Sequence, residues 1–460
     1  MKIEVGVQKS KIVTDNPKLL KALVDLYSFK VKGAEFSKAY RTRRWDGKKK
    51  FITRAGYFRT GLLEDILRRL KKIDCVPALE VPEWFDLKPI HDFNIEGFTL
   101  RDYQVDAVNH ALYTKRSVIK APTGAGKTII MAALVKALEG RKMVLMFNSK
   151  QLINDAYEFL TQACGFENVG INYGDGYVYG DIMLTTVQSI EGILDTHLNE
   201  AEVLMVDEAH EFCNGDTTVA AIEAFPKANY RVAFTATPPE EDIPKMTLMG
   251  AFGDIYTVRT TVELVDDGFL TKPEIEMLAL PELEDESVYD FMPYREVYDE
   301  LIVNNEYRNR KIVDLVDQIE REHEQPRILI LVSRLEHGEI LQDMLGERAQ
   351  YIQGSNDLVS RYSAIRRFTV SRSGTVLIGS KILQTGVDIC EITHFINARG
   401  LKSPSATIQA LGRALRLHDT KQVVRAYDFM DRGKYLRKHA KERLKTYLKE
   451  GHNVTNHEDG

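Results

Sequence analysis

The stretch RSVIKAPTGAGKTIIMAALVKAL, residues 116–138, constrains the fold more than any other part of the chain. A short apolar run leads into a glycine-broken turn, and a longer apolar segment of helix formers follows. In APTGAGKT, residues 121–128, the backbone N–H groups of Thr123, Gly124, Ala125 and Gly126 can cradle phosphates, and the dipole of the following helix favours the same charge. Lys127 is placed to reach the β/γ-phosphates and the Thr128 hydroxyl to help hold Mg²⁺. The general pattern opens with glycine, whereas Ala121 stands there in this chain; the strand–loop–helix context compensates for that departure. About 80 residues later comes VLMVDEAH, residues 203–210. Asp207 follows an apolar strand at its C-terminal end, where α/β sheets place ligand contacts. A carboxylate there can bind Mg²⁺, and Glu208 can orient or deprotonate an attacking water. Together the two strings point to hydrolysis of a nucleoside triphosphate.

Around these strings the chain alternates short apolar runs with helical segments. RSVIKAP, KMVLMFN, DIMLTT, VLMVDEA and RVAFTAT read as strands of one parallel sheet covered by helices. RILILV, AQYIQG, GTVLIGS, THFINAR and VVRAYDFM repeat the rhythm after a less regular stretch around 260–300. Two tandem α/β lobes follow, preceded by a small α+β region. The expected division is 1–95, 96–262 and 263–460, which suits the two or three domains of a 460-residue chain.

The first region has its own character. MKIEVGVQ alternates like a strand, and Asn16-Pro17 offers a cap and first turn for a helix carrying Leu19, Leu20, Leu23 and Leu26. A second helix is expected from Thr60 onwards, with Leu62, Leu63, Ile66, Leu67, Leu70 and Ile73 on one side. Residues 1–95 hold 21 Lys+Arg and 12 Asp+Glu, a balance of +9, while the remaining 365 residues carry 41 and 55, a balance of −14. Much of the positive charge lies in YRTRRWDGKKKFITR, residues 40–54. An acidic body with a basic front end can draw a polyanion to one face. Arg43, Arg44, Lys48, Lys49 and Lys50 are therefore candidate phosphate contacts. Trp45 either stacks on an exposed base or anchors the core of the small region, and its apolar mass favours the core.

Other classes are excluded by composition. No window approaches the ~18–20 continuous apolar residues of a membrane span, and MKIEVGVQKSK lacks the apolar core of a secretory signal. The four cysteines, Cys75, Cys164, Cys213 and Cys390, show no paired spacing and read as reduced thiols of a cytoplasmic protein.

PTGAGKT and DEAH, with TATPP at 235–239, resemble the core motifs of superfamily 2 helicases and translocases. FNSKQL (147–152) and TTVQSI (185–190) resemble their first-lobe strand-tracking motifs, and GSKILQTGVDI (379–389) and QALGRALR (409–416) the second-lobe ones. The resemblance spans about residues 96–430 in the family's order and implies two RecA-like lobes with ATP and Mg²⁺ as cofactors. LRDYQVDAV, residues 100–108, resembles the upstream glutamine motif, which implies that Arg101 and Gln104 flank the nucleotide and that Gln104 reads the adenine edge. It also implies that Arg413 and Arg416 face the phosphates from one helical face and that Gln409 approaches the hydrolytic water or His210. Gly386 and Asp388 would couple the cleft to the strand path, Thr235 and Thr237 would link hydrolysis to lobe movement, and Thr185, Thr186 and Ser380 would contact the strand.

The flank R-x-R-R-W-D-G-K, then an amphipathic helix, then the motor, resembles the UvsW-like branch-migration helicases of tailed bacteriophages. That family implies ATP-driven remodelling of forks, R-loops and four-way junctions by a monomeric motor in the cytoplasm, which is the host's for a phage-encoded protein. A restriction-type motor subunit, an RNA helicase and an ATP-gated clamp on branched DNA are the alternatives. Two further segments stand out: PELEDESVYDFMPYREVYDE (281–300), a strand-separating insertion or a surface helix with a loop, and RGKYLRKHAKERLKTYLKE (432–450), a basic helix that touches duplex phosphates or is merely solvated.

Overall fold

In a computed structural model of the chain, the residues described are 1–81, 95, 98–174, 176–197, 199–213, 216–353, 358–370, 375–380, 389–419 and 421–457. They divide into two compact units: residues 1–121 with 126–258, and residues 259–460 with the short stretch 122–125.

The first unit begins with β1 (Lys2–Glu4), β2 (Lys9–Val13), β3 (Ser28–Lys30), β4 (Lys48–Lys50), β5 (Tyr57–Arg59) and β6 (Ala78–Glu80). A four-stranded sheet runs in the order β5-β2-β1-β6, and β3 and β4 form a separate antiparallel ribbon. The expected helix is Pro17–Leu26, with the Asn16 side chain accepting from the Lys18 and Leu19 N–H groups, so two otherwise orphaned donors are satisfied. A 3₁₀ turn at Thr60–Leu62 runs into the second helix, Leu63–Lys71. Leu62, Leu63, Ile66 and Leu70 are buried, while Ile73 lies beyond the helix and is exposed, because the helix stops before its turn comes round to the core.

Strands β7 (Arg116–Lys120), β8 (Met143–Phe147), β9 (Val169–Tyr173), β10 (Gly176–Val178), β11 (Ile182–Thr186), β12 (Val203–Val206), β13 (Tyr230–Thr235) and β14 (Ile255–Thr257) build an eight-stranded sheet in the order β10-β9-β11-β8-β12-β13-β7-β14. All its pairings are parallel except β10 with β9. Covered on both faces, β8 and β12 are buried at every residue, which is why they read as unbroken apolar runs.

The small α+β region shares its core with this lobe. Met246 and Met249 of helix Asp242–Phe252 pack with Ile3, Ile12, Phe58, Leu62 and Ile66, while Leu248, Ala251 and Phe252 of the same helix pack on the lobe's own sheet side. A helix sandwiched this way has no solvent face, and Met246 to Phe252 are all buried. Polar links reinforce the seam: Arg116 donates to the Val7 and Ala251 carbonyls, Gln8 to the Glu223 carbonyl at 2.6 Å, and Arg59 pairs with Glu223 at 2.5 Å.

The second unit is a seven-stranded, wholly parallel sheet of β15 (Lys272–Ala279), β16 (Ile328–Leu331), β17 (Ala349–Ile352), β18 (Val376–Gly379), β19 (His394–Asn397), β20 (Val423–Met430) and β21 (Val454–Asn456). Their order is β17-β18-β16-β19-β20-β15-β21. The stretch expected to be irregular contains β15, which pairs with all of β20. Segment 281–300 forms a 3₁₀ turn, Glu286–Tyr289, and a short helix, Tyr294–Tyr298, whose Val297 and Tyr298 are buried. Helix Lys434–Lys449 is not merely solvated: Leu436, Ala440, Arg443 and Tyr447 are buried along one side.

Candidate nucleotide and nucleic-acid sites

Strand β7 ends at Lys120, and the Ala121 N–H donates to the Thr235 carbonyl at 3.0 Å, carrying the ladder into the phosphate loop. Gly124 and Gly126 hold φ values of 89° and 80°, the left-handed region that glycine tolerates best. Lys127 then opens helix Lys127–Ala137, whose residues 130–135 are buried. Thr128 lies exposed in its first turn. Gln104 is buried with its Oε1 accepting from the Arg101 N–H at 2.9 Å, and its Nε2 lies where a Cβ on Gly126 would come within 2.3 Å. The glutamine amide is thus laid directly on the phosphate loop, and Arg101 Nη1 donates to the Tyr103 hydroxyl at 2.8 Å.

Asp207 follows β12, and its Oδ1 accepts from the Glu208 N–H at 2.9 Å. Glu208 has φ 46°, a backbone state rare for a residue with a side chain. Its Oε1 meets Lys127 Nζ at 2.9 Å, and its Oε2 lies 3.5 Å from His210 Nδ1. Protein atoms surround the Asp207 carboxylate, although part of the residue is accessible; this desolvation, reinforced by the Glu208 charge and opposed by Lys127, pushes its pKa up to about 6. Burial holds His210 below the usual imidazole range. His210 Nδ1 lies 3.0 Å from Thr235 Oγ1, which accepts from the Thr237 N–H at 3.1 Å. Lys127, Asp207, Glu208, His210, Thr235 and Thr237 therefore form one connected set, with Gln104 on the adjoining loop.

Beside it, the C-terminal ends of β8, β9 and β11 open on a cavity of about 630 Å³, lined by Asn148, Lys150, Gly174, Thr186 and Ser189 among others. These are residues of the FNSKQL and TTVQSI strings and of the β9 end, and each lining residue is polar or glycine. Thr186 Oγ1 meets Ser189 Oγ at 3.1 Å at the cavity wall. Thr185 does not fit the strand contact expected of its side chain. Being wholly buried, with its hydroxyl bonded to Asn172 Nδ2 at 3.1 Å, it supports the wall from behind, as alternation along a strand dictates. Asn148, absent from the sequence-derived set, donates to Glu211 Oε2 at 2.6 Å and so ties the cavity to the DEAH turn.

In the second unit, Gln409 and Arg413 lie on helix Pro404–Ala414. That helix ends before Arg416, so the shared helical face expected of Arg413 and Arg416 does not extend to the latter. Ser380 follows β18 and is half-buried. Gly386 and Asp388 lie outside the described residues.

At the N-terminal end, Arg43, Arg44, Lys48 and Lys50 are exposed and Lys49 is half-buried. Lys48 and Lys50 stand on the β3–β4 ribbon, where Lys48 faces Lys30 across the strands. Lys50 pairs with Asp46 at 2.6 Å. Trp45 corrects an expectation. It is outside the apolar core, which Ile3, Tyr27, Phe58, Ile66 and Leu70 fill, and its indole N–H donates to the Lys48 carbonyl at 2.9 Å. The core draws its mass from Met246 and Met249 instead.

Comparison with known proteins agrees with this geometry. Residues 97–240 match the family described as type III restriction enzyme, res subunit, and residues 309–418 match the helicase conserved C-terminal domain. The chain is 22% identical to the ATP-dependent DNA helicase uvsW of Enterobacteria phage T4, over 94% of each chain. It is 27% identical to the DNA 3'-5' translocase XPB2 of Sulfurisphaera tokodaii, over 70% of this chain and 79% of that one. In fold it resembles a fragment of a putative HsdR subunit of a type I restriction enzyme from Vibrio vulnificus, with TM-score 0.60 and 19% identity over 79% of this chain and 69% of that one. With both motor domains in this order, and a lysine–carboxylate nucleotide site in the first, the chain is an ATP-dependent helicase of superfamily 2, UvsW-like along nearly its whole length.

Proposed function

We propose that the protein remodels branched DNA, using ATP hydrolysis to unwind or branch-migrate forks and junctions in replication, recombination and repair. The observation that carries this reading is the shared core of the basic N-terminal region and the ATP-binding lobe. The ribbon bearing Lys48 and Lys50 is not on a free tether; a duplex held there moves with the lobe that holds one strand. In this reading Arg43, Arg44, Lys48, Lys49 and Lys50 contact duplex phosphates, and the partial exposure of Trp45 favours stacking on an unpaired base. Thr186 and Ser380 contact the strand, and Gln409, Arg413 and Arg416 act on the transferring phosphoryl group, as the family resemblance implies.

Within the nucleotide site, phosphates draw Lys127 away from Glu208, freeing that carboxylate to orient water. Gln104 and Arg101 flank the base. The residues present fit Mg²⁺: a desolvated Asp207 carboxylate with a raised pKa gains most from a cation, and Thr128 adds a hydroxyl. Among the described residues no cluster of three or more His, Cys, Asp or Glu could hold a metal alone, which suits an ion completed by nucleotide phosphates and water. When bound, Mg²⁺ would supply charge neutralisation at those phosphates. No helix among the described residues is long and apolar enough to cross a membrane. A monomer acting in the cytoplasm, the host's for a phage protein, completes the reading.

ATPase stimulation by forked DNA, single-stranded DNA and RNA, run in parallel with strand displacement on labelled forks and four-way junctions, tests it. Stimulation by RNA alone contradicts the branched-DNA reading. ATP-dependent fork binding without displacement indicates a clamp. The restriction-type alternative, favoured by the first-lobe match and the HsdR-like fold, predicts translocation on intact duplex with no preference for forks.

A further inference from the structure

Helix Lys434–Lys449 has two sharply different sides. One is fixed in the second unit by buried charge: Arg443 pairs with Asp428 at 3.0 Å and with Asp431 at 2.8 Å, and the Tyr447 hydroxyl donates to Asp428 at 3.0 Å. On the other side Lys434, Lys438, Lys441, Lys445 and Lys449 are exposed, spaced by four, three, four and four residues. At 3.6 residues per turn these five fall within an arc of about 80°, opposite Leu436, Ala440, Arg443 and Tyr447. Lys438, Lys441 and Lys445 have no ion pair among the described residues, and Lys434 approaches Asp290 at 3.6 Å. Like charges at these spacings repel, and a helix face serving only solubility would intersperse signs. Here Glu442 is the single acid within the helix, at the edge of the stripe. A row of cations kept together on a rigidly anchored helix is stabilised by a polyanion.

We propose that this lysine stripe is a second duplex-binding surface, gripping the phosphates of one strand of double-stranded DNA. The stripe runs for about 22 Å at 1.5 Å per residue, and one strand of a duplex presents a phosphate about every 3.4 Å of axis. The three central lysines, Lys438, Lys441 and Lys445, span about 10 Å, the length over which one strand turns about three successive phosphates to the same side. The inference rests on the branched-DNA reading and adds to it a contact for a second duplex arm.

The test uses the full chain with Lys438→Ala, Lys441→Ala and Lys445→Ala combined, because these three side chains project away from the buried face. Binding to a labelled four-way junction is measured by anisotropy across salt concentrations. The expected result is weaker binding and a slope of log affinity against log salt reduced by about 2.7, roughly 0.9 for each phosphate no longer neutralised. The corresponding Lys→Arg triple variant is expected to keep both, and an unchanged melting temperature verifies the fold. An unaltered slope and affinity in the alanine variant overturns the proposal. So does binding of the wild type to phosphatidylserine vesicles that the variant loses while junction binding persists, which would make the stripe a membrane contact. If the wild type binds no branched DNA at all, the failure lies in the branched-DNA reading instead.

Discussion

The seam between the N-terminal region and the first lobe depends on two glycines. A Cβ built on Gly61 would lie 2.2 Å from the Met249 carbonyl oxygen and 2.6 Å from that of Gly250, and one on Gly250 would lie 3.2 Å from Arg59 Cδ. Ordinary van der Waals contact begins near 3.4 Å, so Gly61→Ala requires a separation of more than 1 Å. Both obstructing atoms are backbone in a buried helix and cannot rotate aside. Overpacking typically costs about 1–3 kcal/mol, and the upper end applies where neither partner can yield. For a folded unit of this size, about 3 kcal/mol lowers the melting temperature by roughly 6–12 °C. Differential scanning fluorimetry of the full chain measures the shift, and limited proteolysis shows whether the N-terminal region is released first. Junction binding should weaken in parallel, because the ribbon loses its fixed position. A melting temperature within about 1 °C of wild type would refute the close backbone approach and, with it, the shared core. For the same reason, deleting residues 1–81 strips the cover from Met246 and Met249, so point substitutions on the ribbon are the cleaner probe of DNA contact.

Other consequences are open to direct measurement. Lys127→Ala should lower ATP turnover by at least about 10²–10³-fold, the usual effect of losing one charge-stabilising donor; displacement that survives it contradicts the motor. Asp207 binds its proton more tightly folded, near 6, than its ordinary value of 3.8, so it removes stability as pH rises through that window. Asp207→Asn should therefore be more stable than wild type near pH 7, with the difference vanishing toward pH 4 in denaturant melts, and it should be inactive in hydrolysis. Asn148→Ala breaks the 2.6 Å bond to Glu211 and should lower the ratio of DNA-stimulated to DNA-free ATPase. Replacing Arg43, Arg44 and Lys48 by alanine should reduce the salt slope of fork binding by about 0.9 for each phosphate that these side chains neutralise.

The parts of the fold legible in the sequence were those whose signal is local. Strands β8, β12 and β16 are apolar at every residue because helices cover both faces, and each was readable as a run. The phosphate loop and Asp207–Glu208 were readable because their chemistry demands residue types at fixed spacing. Strands β9 and β10 leave no apolar run in the sequence: VGINYGDGYV carries three glycines and lies at a sheet edge, with Tyr177 and Val178 exposed. Strand β15 alternates exposed and buried residues at its start and looked irregular. Long-range complementarity left no local trace. Nothing in TGLLED announces that Gly61 lies against the Met249 carbonyl, and nothing near Trp45 announces that Met246 and Met249, some 200 residues on, lie in the core that leaves Trp45 out. One signal was available: DIPKMTLMGAF has no polar face, which marks a helix covered on all sides.

The state of Glu208 links these features to the motor cycle. Its left-handed backbone is costly for a residue with a Cβ, and such strain persists only where surrounding contacts enforce it. Contacts that do so here include the Glu208 N–H on Asp207, the Glu208 carbonyl accepting from the Glu211 N–H, Lys127 on Oε1 and His210 near Oε2. Phosphates bound at the loop would compete for Lys127, and Mg²⁺, if held by Asp207, would supply charge neutralisation there, so bound nucleotide is expected to loosen the restraint on Oε1. His210 remains tied to Thr235, and through it to the Thr237 N–H, while Glu211 holds Asn148 at the strand cavity. Glu208 is thus connected to residues 210 and 211, which bond respectively to Thr235 at the strand end leading to TATPP and to Asn148 at the wall of the polar cavity. In the proposed reading, a rearrangement of this one turn would suffice for the first step of coupling, because the turn bonds both to Thr235 beside Lys127 and Glu208 and to Asn148 at the wall of the polar cavity.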